Sequence, residues 1–141
     1  KINSMIKSRD FWMPFAPVML DDYVSDYLME PFCYSPYMTI GFNTTERGYS
    51  DMIAACHPAD KTARAQILEE VMNPELYGLL RSFAAKTGRG ALLNTSFNIH
   101  GKPIIMTPGH AVSILTTTSL DGLLLDEHFV RRIKDKSNIA N

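Results

Sequence analysis

Short polar side chains crowd into residues 94–98, immediately after the apolar residues 90–93. The stretch supplies two amides, Asn94 and Asn98, and two hydroxyls, Thr95 and Ser96. Asn and Ser side chains stabilise turns by bonding the nearby backbone, so one interpretation is a capped loop at the end of a buried strand. The other interpretation is a loop that holds a ligand through its amide and hydroxyl groups.

A pair of cations near the start of the chain favours the ligand interpretation. Lys7 and Arg9 stand two residues apart, and in an extended segment that spacing puts both side chains on the same face. Arg offers a planar fork of donors and Lys a point charge, and together they suit a polyphosphate. A solvated basic pair is the alternative.

A third polar stretch covers residues 57–66. Thr62, Arg64 and Gln66 alternate with small or apolar residues, and this period of two predicts a strand with one polar face. A helix starting at Lys61 is the alternative, because residues 63–72 include good helix formers. Under either interpretation a buried Arg64 would require an anionic partner.

The two spaced pairs, Lys7 with Arg9 and Ser96 with Asn98, resemble the K-x-R and S-x-N pair of the YrdC-like nucleotide-binding fold. Three stretches resemble the carboxy-terminal domain of the NodU/CmcH-type O-carbamoyltransferases: residues 7–20, 57–66 and 93–108. The resemblance runs over nearly the whole chain. It implies a YrdC-like, twisted and largely open mixed sheet with helices and a concave ligand-binding face.

The resemblance also implies an activity. Such a domain makes carbamoyl adenylate from ATP, with Mg²⁺, and from carbamoyl phosphate as the donor. A larger amino-terminal, actin-like, metal-binding domain then transfers the carbamoyl group to a hydroxyl of a small-molecule acceptor. The catalytic residues implied are Lys7, Arg9 and Arg64. The ligand-binding residues implied are Lys7, Arg9, Ser35, His57, Thr62, Arg64, Asn94, Ser96 and Asn98.

Two positions depart from the family's motifs. The pattern H-x-D-G-T-A-R-x-Q is otherwise kept, but Lys61 stands where glycine is usual. Lys102 stands where the family's G-E-P motif has an acid, which removes a possible metal or ribose contact. The first departure puts the backbone geometry of that turn in question, and the second suggests a changed donor or acceptor preference.

Length, charge and cysteine content set bounds on the function. We expect one domain at residues 1–133 and a polar tail at 134–141, cut from a longer protein because the chain begins at Lys1. A net charge of −1 gives no basic field for nucleic acid, and no apolar run is long enough to span a membrane. Cys33 and Cys56 lie far apart, which favours a reducing, cytoplasmic setting over a disulfide framework.

Metal-ligand spacing is not evident in the sequence. The histidines lie on separate predicted elements and show no H-x-x-x-H pattern: His57, His100, His110 and His128. We therefore expect no metal site of the chain's own. A functional alternative to the enzyme is a non-catalytic module that binds nucleotide or RNA and positions a partner domain.

Predicted strands alternate with helices, which indicates an α/β or α+β fold. Helices are expected after Asp21, from Asn73 to Gly88, and from Thr107. Strands are expected at 38–42, 92–93, 103–106, 120–125 and 129–133, with 31–38 a loop and 43–50 a polar link. Residues 11–20 contain Pro14 and Pro17, so they predict an edge or entry strand at most.

The functional prediction depends on one convergence in space. The guanidinium groups of Arg9 and Arg64 must lie next to Ser96 and Asn98 around a single pocket that binds an anion.

Overall fold

The computed structural model describes residues 1–10, 12–30 and 34–132. These residues form two compact units. We call residues 12–30 and 34–95 the central unit, and residues 1–10 and 96–132 the terminal unit. The predicted tail at 134–141 lies outside the described residues, as does the start of the loop predicted at 31–38.

The central unit contains two sheets formed by five strands. The strands are β1 (Ala16–Leu20), β2 (Phe42–Asn43), β3 (Thr62–Ala63), β4 (Gln66–Leu68) and β5 (Ala91–Asn94). The main sheet has the order β4-β1-β5, with β1 parallel to β4 and antiparallel to β5. The second sheet is the antiparallel pair of β2 and β3.

Strand β1 is the centre of its sheet, so the prediction of an edge strand was wrong. All five of its residues are buried. Leu20 donates its backbone N–H to Gly90 O at 2.9 Å, just before β5 begins. Hydrogen-bonded pairs alternate along an antiparallel ladder, so the N–H groups of Val18 and Ala16 also face β5, and the nitrogens of Met19 and Pro17 face the other way. The nitrogen of Pro17 therefore faces β4, whose pairing with β1 begins only at Val18. The missing N–H of proline falls where no ladder bond is needed.

Helices cover both faces of the main sheet. They are α1 (Val24–Tyr27), α2 (Glu46–Met52) and α3 (Pro74–Thr87). One face packs Val18 and Leu20 against Leu80 of α3, while the other face contributes Met19 and Ile67 to a cluster with residues of α1 and α2. Burying a side chain such as Leu80 stabilises the fold by about 1.5–3 kcal/mol.

Helix α3 begins and ends where the sequence predicts. The Asn73 side chain accepts the N–H of Leu76, Pro74 occupies the first turn, and Gly88 ends the helix in a left-handed conformation with φ of 72°. The extended interpretation of residues 62–68 is also confirmed by β3 and β4, so the alternative helix from Lys61 is excluded.

Two predictions between α1 and β3 were wrong. Within residues 38–42 only Phe42 joins a strand, and Met38 has a left-handed φ of 56° that interrupts extended backbone. Within the predicted polar link, Thr45 caps α2 by accepting the N–H of Gly48, so a short helix forms there.

The terminal unit contains a π-helix at Asn3–Lys7, helix α4 (Pro108–Thr117) and the hairpin of β6 (Gly122–Leu125) and β7 (His128–Arg131). Its core packs Ala111 and Leu115 of α4 against Leu123 of β6. The cap of α4 at Thr107 and the two extended runs agree with the sequence prediction.

The strand predicted at 103–106 was wrong. Ile105 donates its N–H to Phe97 O at 3.2 Å, but no ladder forms there and Ile104 and Met106 remain exposed. An apolar run without a pairing strand stays irregular. Helices with small mixed and antiparallel sheets make an α+β fold, as expected. Across residues 1–10, 12–30 and 34–132, no helix has the length and apolar character needed to cross a membrane.

Candidate functional site

Lys7 is the buried centre of a polar cluster in the terminal unit. Only 2% of its surface is exposed. Its Nζ donates to Ser96 O at 2.7 Å, to Ser96 Oγ at 3.2 Å and to Asn98 Oδ1 at 2.6 Å. The structure therefore brings one member of the K-x-R pair onto both members of the S-x-N pair.

The segment that carries Lys7 and Arg9 is not extended, so that prediction was wrong. Lys7 ends a π-helix, and Ser8 follows with a left-handed φ of 45°. The side chain of Asn3 closes this turn: its Nδ2 donates to Arg9 O at 2.9 Å, and its Oδ1 accepts the Arg9 N–H at 2.7 Å. A local helix and turn, and not strand alternation, set the directions of the two cations.

Two effects lower the pKa of Lys7. The larger is burial, which disfavours the charged form, and the smaller is repulsion by the positive charge of Arg9. Three oxygen acceptors act in the opposite sense, because a neutral amine has only two N–H groups to donate.

The loop after β5 is held by its own polar groups. Ser96 Oγ donates to Asn98 Oδ1 at 2.7 Å, and Asn98 Nδ2 donates to Lys102 O at 2.6 Å. Gly101 supplies a φ of 75°, which glycine adopts without strain. Lys102 thus contributes its backbone carbonyl to the cluster, whatever its side chain does.

The central unit presents a second polar group. Ala63 and Ala65 are buried, at 2% and 0% exposure, whereas Arg64 between them is exposed. The predicted alternation is therefore confirmed, and an exposed Arg64 needs no buried anion. Asn94 of β5 and Gln66 of β4 lie on the two strands that flank β1, and Asn94 Nδ2 donates to Gln66 Oε1 at 2.8 Å.

The loop from His57 to Thr62 is tightly closed. Asp60 Oδ1 accepts the backbone N–H of Thr62 at 3.0 Å and its hydroxyl at 2.8 Å, while His57 N donates to Thr62 O at 2.7 Å. These two bonds from Thr62 are the main reason that the pKa of Asp60 is lowered. His57 Nδ1 lies 3.3 Å from the same oxygen, and this contact makes a smaller contribution to lowering the pKa of Asp60.

Lys61 has a φ of 60° in this loop. That value is the left-handed conformation that glycine adopts freely, which gives a physical reason for the glycine of the family motif. Lys61 adopts the same left-handed conformation at a cost in backbone strain. Lys61 Nζ lies 5.1 Å from the centre of the Tyr49 ring, a cation–π contact.

Ser35 has a structural role. It is 1% exposed, its hydroxyl donates to Ala65 O at 2.8 Å, and its carbonyl accepts the N–H of Ile67 at 2.8 Å. These bonds hold the loop before Tyr37 against β4. A ligand contact at Ser35 stays a prediction.

The family resemblance associated Lys7 with Ser96 and Asn98, and the structure places the three in contact. Their role in binding a ligand stays a prediction. Asn3 was not predicted, because its only signal in the sequence is a short amide within reach of a turn. That Arg64 shares an anionic pocket with this group stays a prediction. Within the described part of the chain, no group of three or more His, Cys, Asp or Glu residues could hold a metal ion.

Comparison with known proteins agrees with the spaced motifs. The family described as "Carbamoyltransferase C-terminus" matches residues 1–132. An uncharacterized protein of Methanocaldococcus jannaschii is 38% identical over 95% of this chain and 26% of its own length. The nodulation protein NolO of Bradyrhizobium diazoefficiens is 31% identical over 94% of this chain and 24% of its own length.

An enzyme with a named activity is also similar. The 3'-hydroxymethylcephem-O-carbamoyltransferase of Amycolatopsis lactamdurans is 30% identical over 90% of this chain and 24% of its own length. The chain thus spans about a quarter of the length of the curated relatives it matches. On the match over residues 1–132, the chain belongs to the carbamoyltransferase C-terminus family.

Proposed function

We propose that this chain forms carbamoyl adenylate, the first half-reaction of an O-carbamoyl transfer, from ATP with Mg²⁺ and from carbamoyl phosphate. The observation that supports the proposal is the buried Lys7 ammonium bound by Ser96 and Asn98, because it brings one residue of the first spaced pair onto both residues of the second. The exposed Arg64 adds a guanidinium that is available to an anion.

The chemistry asks for alignment and charge stabilisation more than for covalent help. Carbamoyl phosphate first loses its phosphate to a water molecule, which leaves carbamate and inorganic phosphate. A carbamate oxygen then attacks the α-phosphorus of ATP, the bond to the β-phosphate oxygen breaks, and pyrophosphate leaves with the Mg²⁺ that accompanied the nucleotide. Both reactants are anions, so their approach requires fixed positive charge.

In this proposal each polar group has a part. Arg9 and Arg64 bind phosphate oxygens, since a guanidinium matches them with two parallel hydrogen bonds. Ser96, Asn98 and Asn94 set the shape of the loop that faces the nucleotide, and the His57–Thr62 loop holds β3, which ends next to Arg64, in place. Removing one charged contact is expected to cost about 1.5–3 kcal/mol.

Transfer to the final acceptor belongs to the same proposal. The cephem relatives are named for an acceptor with a hydroxymethyl group, so the acceptor here is a small molecule with a hydroxyl. Because the relatives are about four times longer, an amino-terminal, actin-like, metal-binding domain is the proposed partner for that step.

The test follows exchange of labelled pyrophosphate into ATP in the presence and absence of carbamoyl phosphate. We expect exchange that depends on carbamoyl phosphate and falls by about 10- to 150-fold in Arg64→Ala, from the loss of a charged hydrogen bond. Arg131→Ala is the matched control, because Arg131 is also exposed but lies on the hairpin.

Calorimetric titration of the wild type and Arg64→Ala with ATP, with carbamoyl phosphate and with RNA separates the alternatives. Failure to bind either ligand would count against the enzyme. If Arg64→Ala keeps its ATP affinity and loses affinity for RNA, the chain is instead a module that binds RNA and positions a partner.

A further inference from the structure

The ammonium of Lys7 has three N–H groups, and the structure uses all of them on oxygens of this chain. They go to the carbonyl and hydroxyl of Ser96 and to the side-chain oxygen of Asn98, at 2.6–3.2 Å. With 2% of its surface exposed, Lys7 has neither a spare donor nor a face toward solvent. A direct contact with phosphate would require at least one of these bonds to break.

The same bonds define the loop. Ser96 and Asn98 both bond to Lys7 and to each other, and Asn98 also donates to Lys102 O. A further bond joins the same two segments, because His100 N donates to Ile6 O at 3.0 Å. The bonds to Lys7 and Ile6 therefore fix the conformation of residues 96–102.

Asn3 fixes Lys7 in turn. Its two bonds to the backbone of Arg9 span the left-handed Ser8, so the chain on both sides of that turn is held. The charged form of Lys7 is the form that this arrangement needs, since only an ammonium can serve three acceptors at once.

We propose that Lys7 is a positioning residue: it holds the Ser96–Asn98 loop in its ligand-binding shape and does not itself contact phosphate. The proposal deepens the proposed function and rests on it only for the identity of the ligand. It separates Lys7 from Arg9, because the two cations of one motif then have different tasks.

Chemical labelling of the unmodified chain tests the claim without any risk of misfolding. Native protein is acetylated briefly and the lysines are quantified by mass spectrometry, with and without ATP and Mg²⁺. We expect Lys7 to react about a hundredfold more slowly than the exposed Lys1 and Lys102, because labelling requires local opening. Labelling of Lys7 at the rate of Lys1, with protection by ATP, would overturn the proposal.

Variants supply a second readout. In Lys7→Met we expect amide hydrogen exchange of residues 96–102 to rise about tenfold in the ligand-free protein, since the loop loses its charged anchor. Lys1→Met is the control, because it removes a cation of the same segment whose ion pair with Asp121 is exposed. Unchanged loop exchange together with weakened ATP binding would mean that Lys7 is a phosphate ligand.

Lys7→Arg adds a test of shape. A phosphate contact tolerates the larger cation, whereas an anchor that fits three close oxygens does not. We expect Lys7→Arg to resemble Lys7→Met in loop exchange. If wild-type protein shows no pyrophosphate exchange but Lys7 resists acetylation, the proposed function fails while the positioning role stands.

Discussion

Lys61 holds a left-handed backbone conformation that costs an L-residue about 1–2 kcal/mol. Neighbours over-determine the conformation. Lys61 N donates to His57 O at 2.9 Å, and Thr44 Oγ1 donates to Lys61 O at 2.7 Å. Lys61 therefore carries a local stability cost in a loop that the bonds of its neighbours hold in place.

This strain predicts a difference between two substitutions at Lys61. Both Lys61→Gly and Lys61→Ala lose the contact with Tyr49, but only glycine relieves the left-handed strain. We expect Lys61→Gly to be more stable than Lys61→Ala by about 1 kcal/mol in urea unfolding. Equal stabilities would show that the loop relaxes to another conformation in the variants.

Asp60 predicts a dependence of stability on pH. Its folded pKa is lowered, chiefly by the backbone and hydroxyl bonds from Thr62 and less by His57. A lowered pKa means that the carboxylate stabilises the fold fully above the unfolded pKa of about 3.9, and less as pH falls through the folded pKa.

The measurement compares unfolding of the wild type with Asp60→Ala across acidic pH. The wild-type advantage is expected to stay constant above about pH 5 and to shrink below about pH 4. An advantage that persists unchanged at the lowest pH would show that the bonds to Thr62 do not need the charged form.

At the scale of elements, the helical glycines Gly48 and Gly78 have different surroundings. A Cβ on Gly48 of α2 would lie 2.1 Å from Tyr27 O, which is backbone and cannot move aside. A Cβ on Gly78 of α3 would meet nothing within 4 Å. The first glycine permits close approach of α2 to α1, whereas the second only weakens its helix.

Alanine at the two positions should therefore have opposite effects. We expect Gly48→Ala to destabilise the protein by about 1–3 kcal/mol or more through overpacking, and Gly78→Ala to stabilise it by up to about 1 kcal/mol through helix propensity. Thermal and urea unfolding measure both. Loss of stability in Gly78→Ala would contradict the assignment of an exposed helix interior.

At the scale of the whole molecule, the two units differ in how well their strands are buried. Strand β1 of the central unit is buried along its full length, and all four residues of β7 in the terminal unit are exposed. Exchange through local opening is easiest where few apolar contacts must break.

Native-state hydrogen exchange should show this difference. We expect the amides of Met19 and Leu20 to exchange only through the largest openings, and the ladder amides of β7 to exchange faster. Similar protection in both strands would mean that the hairpin is stabilised by more than its described contacts.

Local signals in the sequence determined where the helices begin and end and which face of a strand is polar. These signals act between residues close in sequence, so they can be recognised before the fold is known. They are the caps at Asn73 and Thr107, the helix stop at Gly88 and the alternation around Arg64. The motifs that identify the family are of the same kind.

Only the tertiary structure decided the rest. The burial of Lys7 depends on Ser96 and Asn98, which lie 89 and 91 residues away, and no local pattern encodes such a pairing. The central position of β1 likewise depended on strands contributed by residues 66–68 and 91–94. Proline content suggested an edge, but the register of the ladder placed Pro17 where an N–H is not needed, because hydrogen-bond parity is a property of the assembled sheet.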